Sequence, residues 1–154
     1  MSEPDWSRAS SEQIRAAYTA AGVALYRYLR FGARELADEA GSAWPSLRLR
    51  DAISELRRNY YAARALWRAG DRRAAARLMV RTGQLAWALH RRIEELARRE
   101  PALLRRINAL GLRPMANELS RSINATTDAA ATLGSGVTTA LTIAAIIAAL
   151  VVLR

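Results

Sequence analysis

The side chains able to do chemistry are few. The chain has one histidine, His90, and no cysteine, which removes a thiolate nucleophile, a disulfide framework and any cysteine zinc site. His90 is followed by Arg91 and Arg92, two cations that disfavour its charged form and repel a metal ion, so the sequence predicts a surface or boundary histidine. Asp38-Glu39 and Glu94-Glu95 are adjacent acid pairs. Adjacent residues on a helix point about 100° apart, which makes poor two-carboxylate sites and good solvated surface. No phosphate-binding glycine loop, metalloprotease histidine pair or serine elbow is present. The reading is therefore non-enzymatic, with no catalytic residue, metal ligand or cofactor assigned.

Arginine is the group that remains. The formal net charge is +10, carried entirely by arginine, since lysine is absent. All of that excess precedes Pro114, because residues 114–154 balance Arg121 and Arg154 against Glu118 and Asp128. Arginine suits oxyanions, since its planar fork binds them bidentately. On helical spacing Arg57, Arg64 and Arg68 share one side of a helix, and Arg73, Arg77 and Arg81 one side of the next. These six are the candidate contacts to anionic lipid or phosphate, set against the plainer reading of solvated faces. Nucleic acid ranks lower as a partner, because no reading element accompanies the charge. Trp44, Tyr60, Trp67 and Trp87 are spaced for helix interfaces, as core or as a partner-binding surface.

The elements that carry these residues read as all-α, an antiparallel helical bundle or hairpin. Residues 1–9 are a polar lead-in, and 10–113 form the basic helical domain. Ser10 and Gln13 form a capping box. Ile14, Tyr18, Ala21, Leu25, Leu29, Gly32 and Leu36 then trace the apolar face of one helix to about Ala40, closed by Gly41 and Pro45. Leu49, Ile53, Leu56, Tyr60, Ala63 and Trp67 make the seam of a second helix. Gly70-Asp71 ends it and caps a third, whose stripe is Ala74, Leu78, Leu85, Leu89, Ile93 and Leu96. The turn ALWRAGDRRAAARL, residues 65–78, resembles that of a tetratricopeptide repeat, but no second copy follows at the family's period of about 34 residues. Pro101 opens a short fourth helix ended by Gly111, and Pro114 a long last one.

The last helix organises the whole reading. Residues 114–132 are amphipathic, and 133–154 are the expected C-terminal transmembrane anchor. No charged side chain occurs in 129–153, and about 20 mostly apolar residues cross a hydrocarbon core of about 30 Å. The opening MSEPDW has acids and no apolar run, so no secretory leader is read there. The expectation is a single-pass, tail-anchored membrane protein with its N-terminus in the cytoplasm. Its basic domain would act as a scaffold or adaptor for an unidentified protein partner at an anionic bilayer surface. Gly136, Ala140, Ala144 and Ala148 repeat every fourth residue, which allows close helix approach and a homo-oligomer. Two alternatives are a membrane-active protein of holin, toxin or phage type, whose last helices assemble into a pore, and a basic nucleic-acid binder.

Overall fold

A computed structural model describes residues 4–131. These residues are all helical in their regular structure, with no strand among them. The order is α1 Ser11–Tyr28, a π-helical turn Leu29–Ala33, α2 Arg34–Ala43, α3 Leu49–Arg68, α4 Arg72–Ala97, α5 Pro101–Ala109 and α6 Leu112–Ala131. Short 3-10 turns occupy Trp6–Arg8 and Pro45–Leu47. No helix among the described residues is long and apolar enough to cross a membrane. The anchor expected at 133–154, with Gly136, Ala140, Ala144 and Ala148, lies outside them.

Local sequence explains most boundaries. The Ser10 hydroxyl accepts from the Gln13 N–H at 3.2 Å while the Ser10 N–H donates to Gln13 Oε1 at 2.8 Å, the reciprocal box expected there. Gly70, at φ 91°, takes the left-handed turn that ends α3, and the Asp71 carboxylate accepts from the Ala74 N–H at 3.3 Å to start α4. Gly111, at φ 63°, closes α5. The first helix, however, passes Gly41 and continues to Ala43, and α6 begins at Leu112, before Pro114.

Four long helices form the bundle. Arg27 pairs with Glu118 at 3.4 Å and Gly32 packs on Leu112, so α1 and α6 run antiparallel. Glu94 with Arg113 and Gly83 with Ile123 show the same for α4 and α6. Tyr18 on Trp67 and Tyr26 beside Tyr60 make α1 and α3 antiparallel as well. One end of the bundle therefore holds the start of α1, the Gly70-Asp71 turn and the outgoing end of α6. The other holds the π turn, α5 and the start of α6. Leu25, Met79, Ile93, Leu119 and Ile123 are fully buried between them.

The π turn has a sequence cause. Leu25, Leu29, Ala33 and Ala37 are all buried at a strict four-residue spacing, as are Tyr28, Gly32 and Leu36. An α-helix turns every 3.6 residues, so a four-residue stripe drifts steadily off one face. One wider turn, with its i→i+5 hydrogen bond from the Arg34 N–H to the Leu29 carbonyl, absorbs that drift. Gly32 is needed there: a Cβ would lie 2.2 Å from Leu112 Cδ1 and 2.7 Å from Met115 Cε. Gly32→Ala is expected to cost about 1–3 kcal/mol, read from the shift of a urea or guanidinium midpoint.

Two expectations about α4 are corrected. Leu85 is 45% exposed, not core. Because α4 packs on α1, α3 and α6, its buried set is wider than one stripe and runs through Ala75, Ala76, Met79, Val80, Gly83, Ala86 and Leu89. His90, expected at the surface or its boundary, is buried. Trp87 stacks on its ring at 5.8 Å between centroids, and Tyr28 meets it edge-on.

Candidate basic and aromatic site on the α1–α3 face

An arginine and tyrosine cleft opens between the π turn and α3. Its walls are Tyr26, Leu29, Arg30, Arg34, Arg57, Tyr60 and Tyr61, around a small, open cavity of about 50 Å3. Helical spacing puts the pieces together: Tyr26, Arg30 and Arg34 descend at four-residue steps, and Arg57, Tyr60 and Tyr61 share a turn of α3. The Arg30 guanidinium donates to the Tyr26 hydroxyl at 2.6 Å and lies 5.6 Å from the Tyr26 ring centre and 5.8 Å from that of Phe31. Tyr26 leans on Tyr60 at 6.0 Å, and Tyr60 meets Tyr61 edge-on at 5.3 Å. Burial holds the Tyr60 hydroxyl above the ordinary phenol range, against the lowering pull of Arg64, so it remains a donor at neutral pH.

The same face continues toward the α3–α4 turn. Arg64 lies over the Tyr60 ring at 5.9 Å. Tyr18 and Trp67 stack at 4.2 Å with their planes 10° apart, and Arg72 covers Trp67 at 5.1 Å. Rings and guanidinium groups thus alternate along the seam between α1 and α3, where each cation gains by facing a ring quadrupole. Phe31 and Tyr61 are 57% and 51% exposed, large apolar surface left at the cleft rim.

The six arginines grouped by the sequence do not form one surface. Arg57 lines the cleft, Arg64 sits on Tyr60, and Arg68 is exposed near the turn. Arg73 reaches back to the Ala9 carbonyl at 3.4 Å, and Arg77 and Arg81 are exposed farther along α4. The four aromatics divide too. Tyr60 and Trp67 belong to the α1–α3 face, whereas Trp44 and Trp87 are half-buried against the core. Tyr61 stands beside Tyr60 among the interface aromatics, whereas Tyr26, Arg30, Phe31 and Arg34 were not among the residues the sequence singled out for this role. Their signal was the four-residue recurrence of Tyr26, Arg30 and Arg34 beside a stripe that cannot stay in phase on an α-helix.

A second polar constellation lies inside the bundle. Tyr28 Oη is 3.1 Å from His90 Nδ1, and His90 Nε2 is 3.3 Å from Glu94 Oε1. Glu94 also accepts from Arg113 Nε and Nη2 at 2.6 and 2.8 Å. Neutral His90 with its proton on Nε2 satisfies the set: Tyr28 donates to Nδ1 and Nε2 donates to Glu94. Burial lowers the His90 pKa, opposed by Glu94 and aided by Arg113; Arg91 and Arg92, the cations expected to act on it, are not the cause. Burial also raises the Tyr28 pKa far above the phenol range. The hydrogen bonds from Arg113 hold Glu94 below the usual carboxylate range. Glu94 is thus an interhelical tie between α4 and α6, not the solvated acid expected from its neighbour Glu95. The chain of groups runs outward from buried Tyr28 and His90 to Glu94, which lines a surface cleft with Arg91, Arg92, Glu95 and Arg98.

Among the described residues no group of three or more histidine, cysteine or acidic side chains is placed to hold a metal ion. No protein-family model, no curated protein and no solved structure matches this chain.

Proposed function

We propose that the protein is a non-enzymatic adaptor held at an anionic membrane surface, its helical bundle on the cytoplasmic side and the charge-free stretch 129–153 as its anchor. The observation that carries this reading is the direction of α6. It leaves the bundle at the end that also bears the Gly70-Asp71 turn, with exposed Arg68, Arg72 and Arg73 around it. A span beginning near residue 133 brings that basic end down to the headgroups. There each arginine gains roughly 1 kcal/mol from anionic lipid, in keeping with the excess of arginine on cytoplasmic flanks. Trp67, half-buried under Arg72, adds an amphipathic ring at the same end.

Floatation of the intact chain, beside a version ending at Asp128, tests the anchor. The intact chain is expected to float and to resist carbonate extraction, and the shortened chain to stay in the soluble fraction. An intact chain that stays soluble overturns the proposal. Arg68→Glu, Arg72→Glu and Arg73→Glu together are expected to abolish any residual, salt-sensitive binding of the shortened chain to anionic vesicles.

A further inference from the structure

We propose that the cleft between the π turn and α3 binds a phosphomonoester borne on an aromatic group of a soluble ligand. Arg30, Arg34 and Arg57 converge on it, and no carboxylate lines it. Three arginines that join helices elsewhere each meet an acid, Glu118 for Arg27, Glu39 for Arg106 and Glu94 for Arg113. At the cleft the chain supplies none. Arg34 and Arg57 make no ion pair or hydrogen bond among the described residues, and Arg30 donates only to the Tyr26 hydroxyl. Three guanidinium groups facing one space without a counter-charge repel one another, and a dianion relieves that repulsion while accepting bidentate hydrogen bonds. The phenols of Tyr26, Tyr60 and Tyr61 add neutral donors and ring faces beside the same space.

The exposed rings at the rim argue for an aromatic carrier. Phe31 and Tyr61 keep more than half of their surface exposed next to the arginines, at 57% and 51%, and stacking on such a ring discriminates an aryl or nucleobase phosphate from inorganic phosphate. The π turn aims Arg30 and Arg34 at the cleft while Gly32 passes under α6. Position argues for a soluble ligand over a lipid headgroup, and this step alone rests on the orientation proposed above. From Arg57 to Gly70 α3 spans about 20 Å, beyond two Debye lengths of about 8 Å, so the cleft stands clear of the surface that Arg68 and Arg72 approach.

The test is calorimetric titration of the full chain, in nanodiscs of neutral lipid, with phenyl phosphate, adenosine monophosphate and inorganic phosphate. Saturable binding of phenyl phosphate or the nucleotide, at least about fivefold tighter than inorganic phosphate, is expected. Arg34→Gln with Arg57→Gln should weaken it about tenfold or more, and Tyr61→Ala with Phe31→Ala should erase the preference for the aromatic ligand. All four side chains are exposed, so unchanged melting curves are expected to accompany these losses. The proposal is overturned by absent binding, by binding indifferent to the arginine pair, or by binding seen only with vesicles carrying phosphorylated lipid. Because the nanodisc lipid is neutral, a failed titration leaves the floatation result standing; a chain that fails to float is titrated free in solution, where the same binding keeps the cleft proposal and its absence overturns it.

Discussion

Ile123→Ala is expected to destabilise the bundle by about 2–5 kcal/mol, the range for emptying a closed site of a branched side chain. Ile123 is fully buried, and its Cδ1 would lie 3.1 Å from a Cβ built on Gly83. The lack of a Cβ at Gly83 is what lets α6 come so close to α4. Relaxation into the vacated space is limited, because α1 and α4 both brace α6. Leu85→Ala is the control: at 45% exposure it should change stability by no more than about 0.5 kcal/mol. Chemical denaturation of the two variants side by side checks the pair, and equal losses would place α6 outside the core.

His90→Leu is the second large effect. It leaves the Tyr28 hydroxyl buried with no partner, at a cost of about 1–3 kcal/mol. Adding Tyr28→Phe removes the orphaned group, so the double variant should recover most of the loss. The same histidine sets a pH dependence. Its folded pKa is lowered below the ordinary 6.5, so as pH falls the unfolded chain takes up the proton first. Stability is therefore full above pH 6.5 and drains as pH falls through the folded value. The groups facing His90 are Tyr28, Trp87, Glu94 and, through Glu94, Arg113. Glu94, also lowered, subtracts further stability only below about pH 4.5. Melting temperatures from pH 7 to 5 should fall in the native chain and stay nearly flat in His90→Leu. A native chain insensitive over that window would refute the assignment.

The helices were legible in the sequence because their signals are local. Ser10 with Gln13, Gly70 with Asp71, and Glu100 before Pro101 each punctuate the chain within a turn. The site was less legible because it depends on which helices meet. Arg57 and Tyr60 could be chosen from α3 alone, but their partners Arg30 and Arg34 become visible only when the π turn rotates them toward α3. His90 and Glu94 misled for the same reason. Neighbours in sequence, Arg91 and Glu95, suggested solvent, whereas neighbours in space, Tyr28 and Arg113, decide their burial and charge. Leu85 was drawn into the core by a single-stripe assumption that fails for a helix packed on three sides.

The wider turn at Leu29–Ala33 makes the ligand cleft separable from the scaffold that carries it. It behaves as an insertion of one residue into an otherwise regular rod, and removing Phe31 returns the heptad-like phase that a plain α-helix accepts. Such a deletion allele keeps Leu25, Leu36 and Ala37 on the inner side yet reshapes the segment between Arg30 and Arg34 that walls the cleft and removes the Phe31 ring beside it. It is the genetic background in which the proposed anchoring and the proposed recognition can be scored apart.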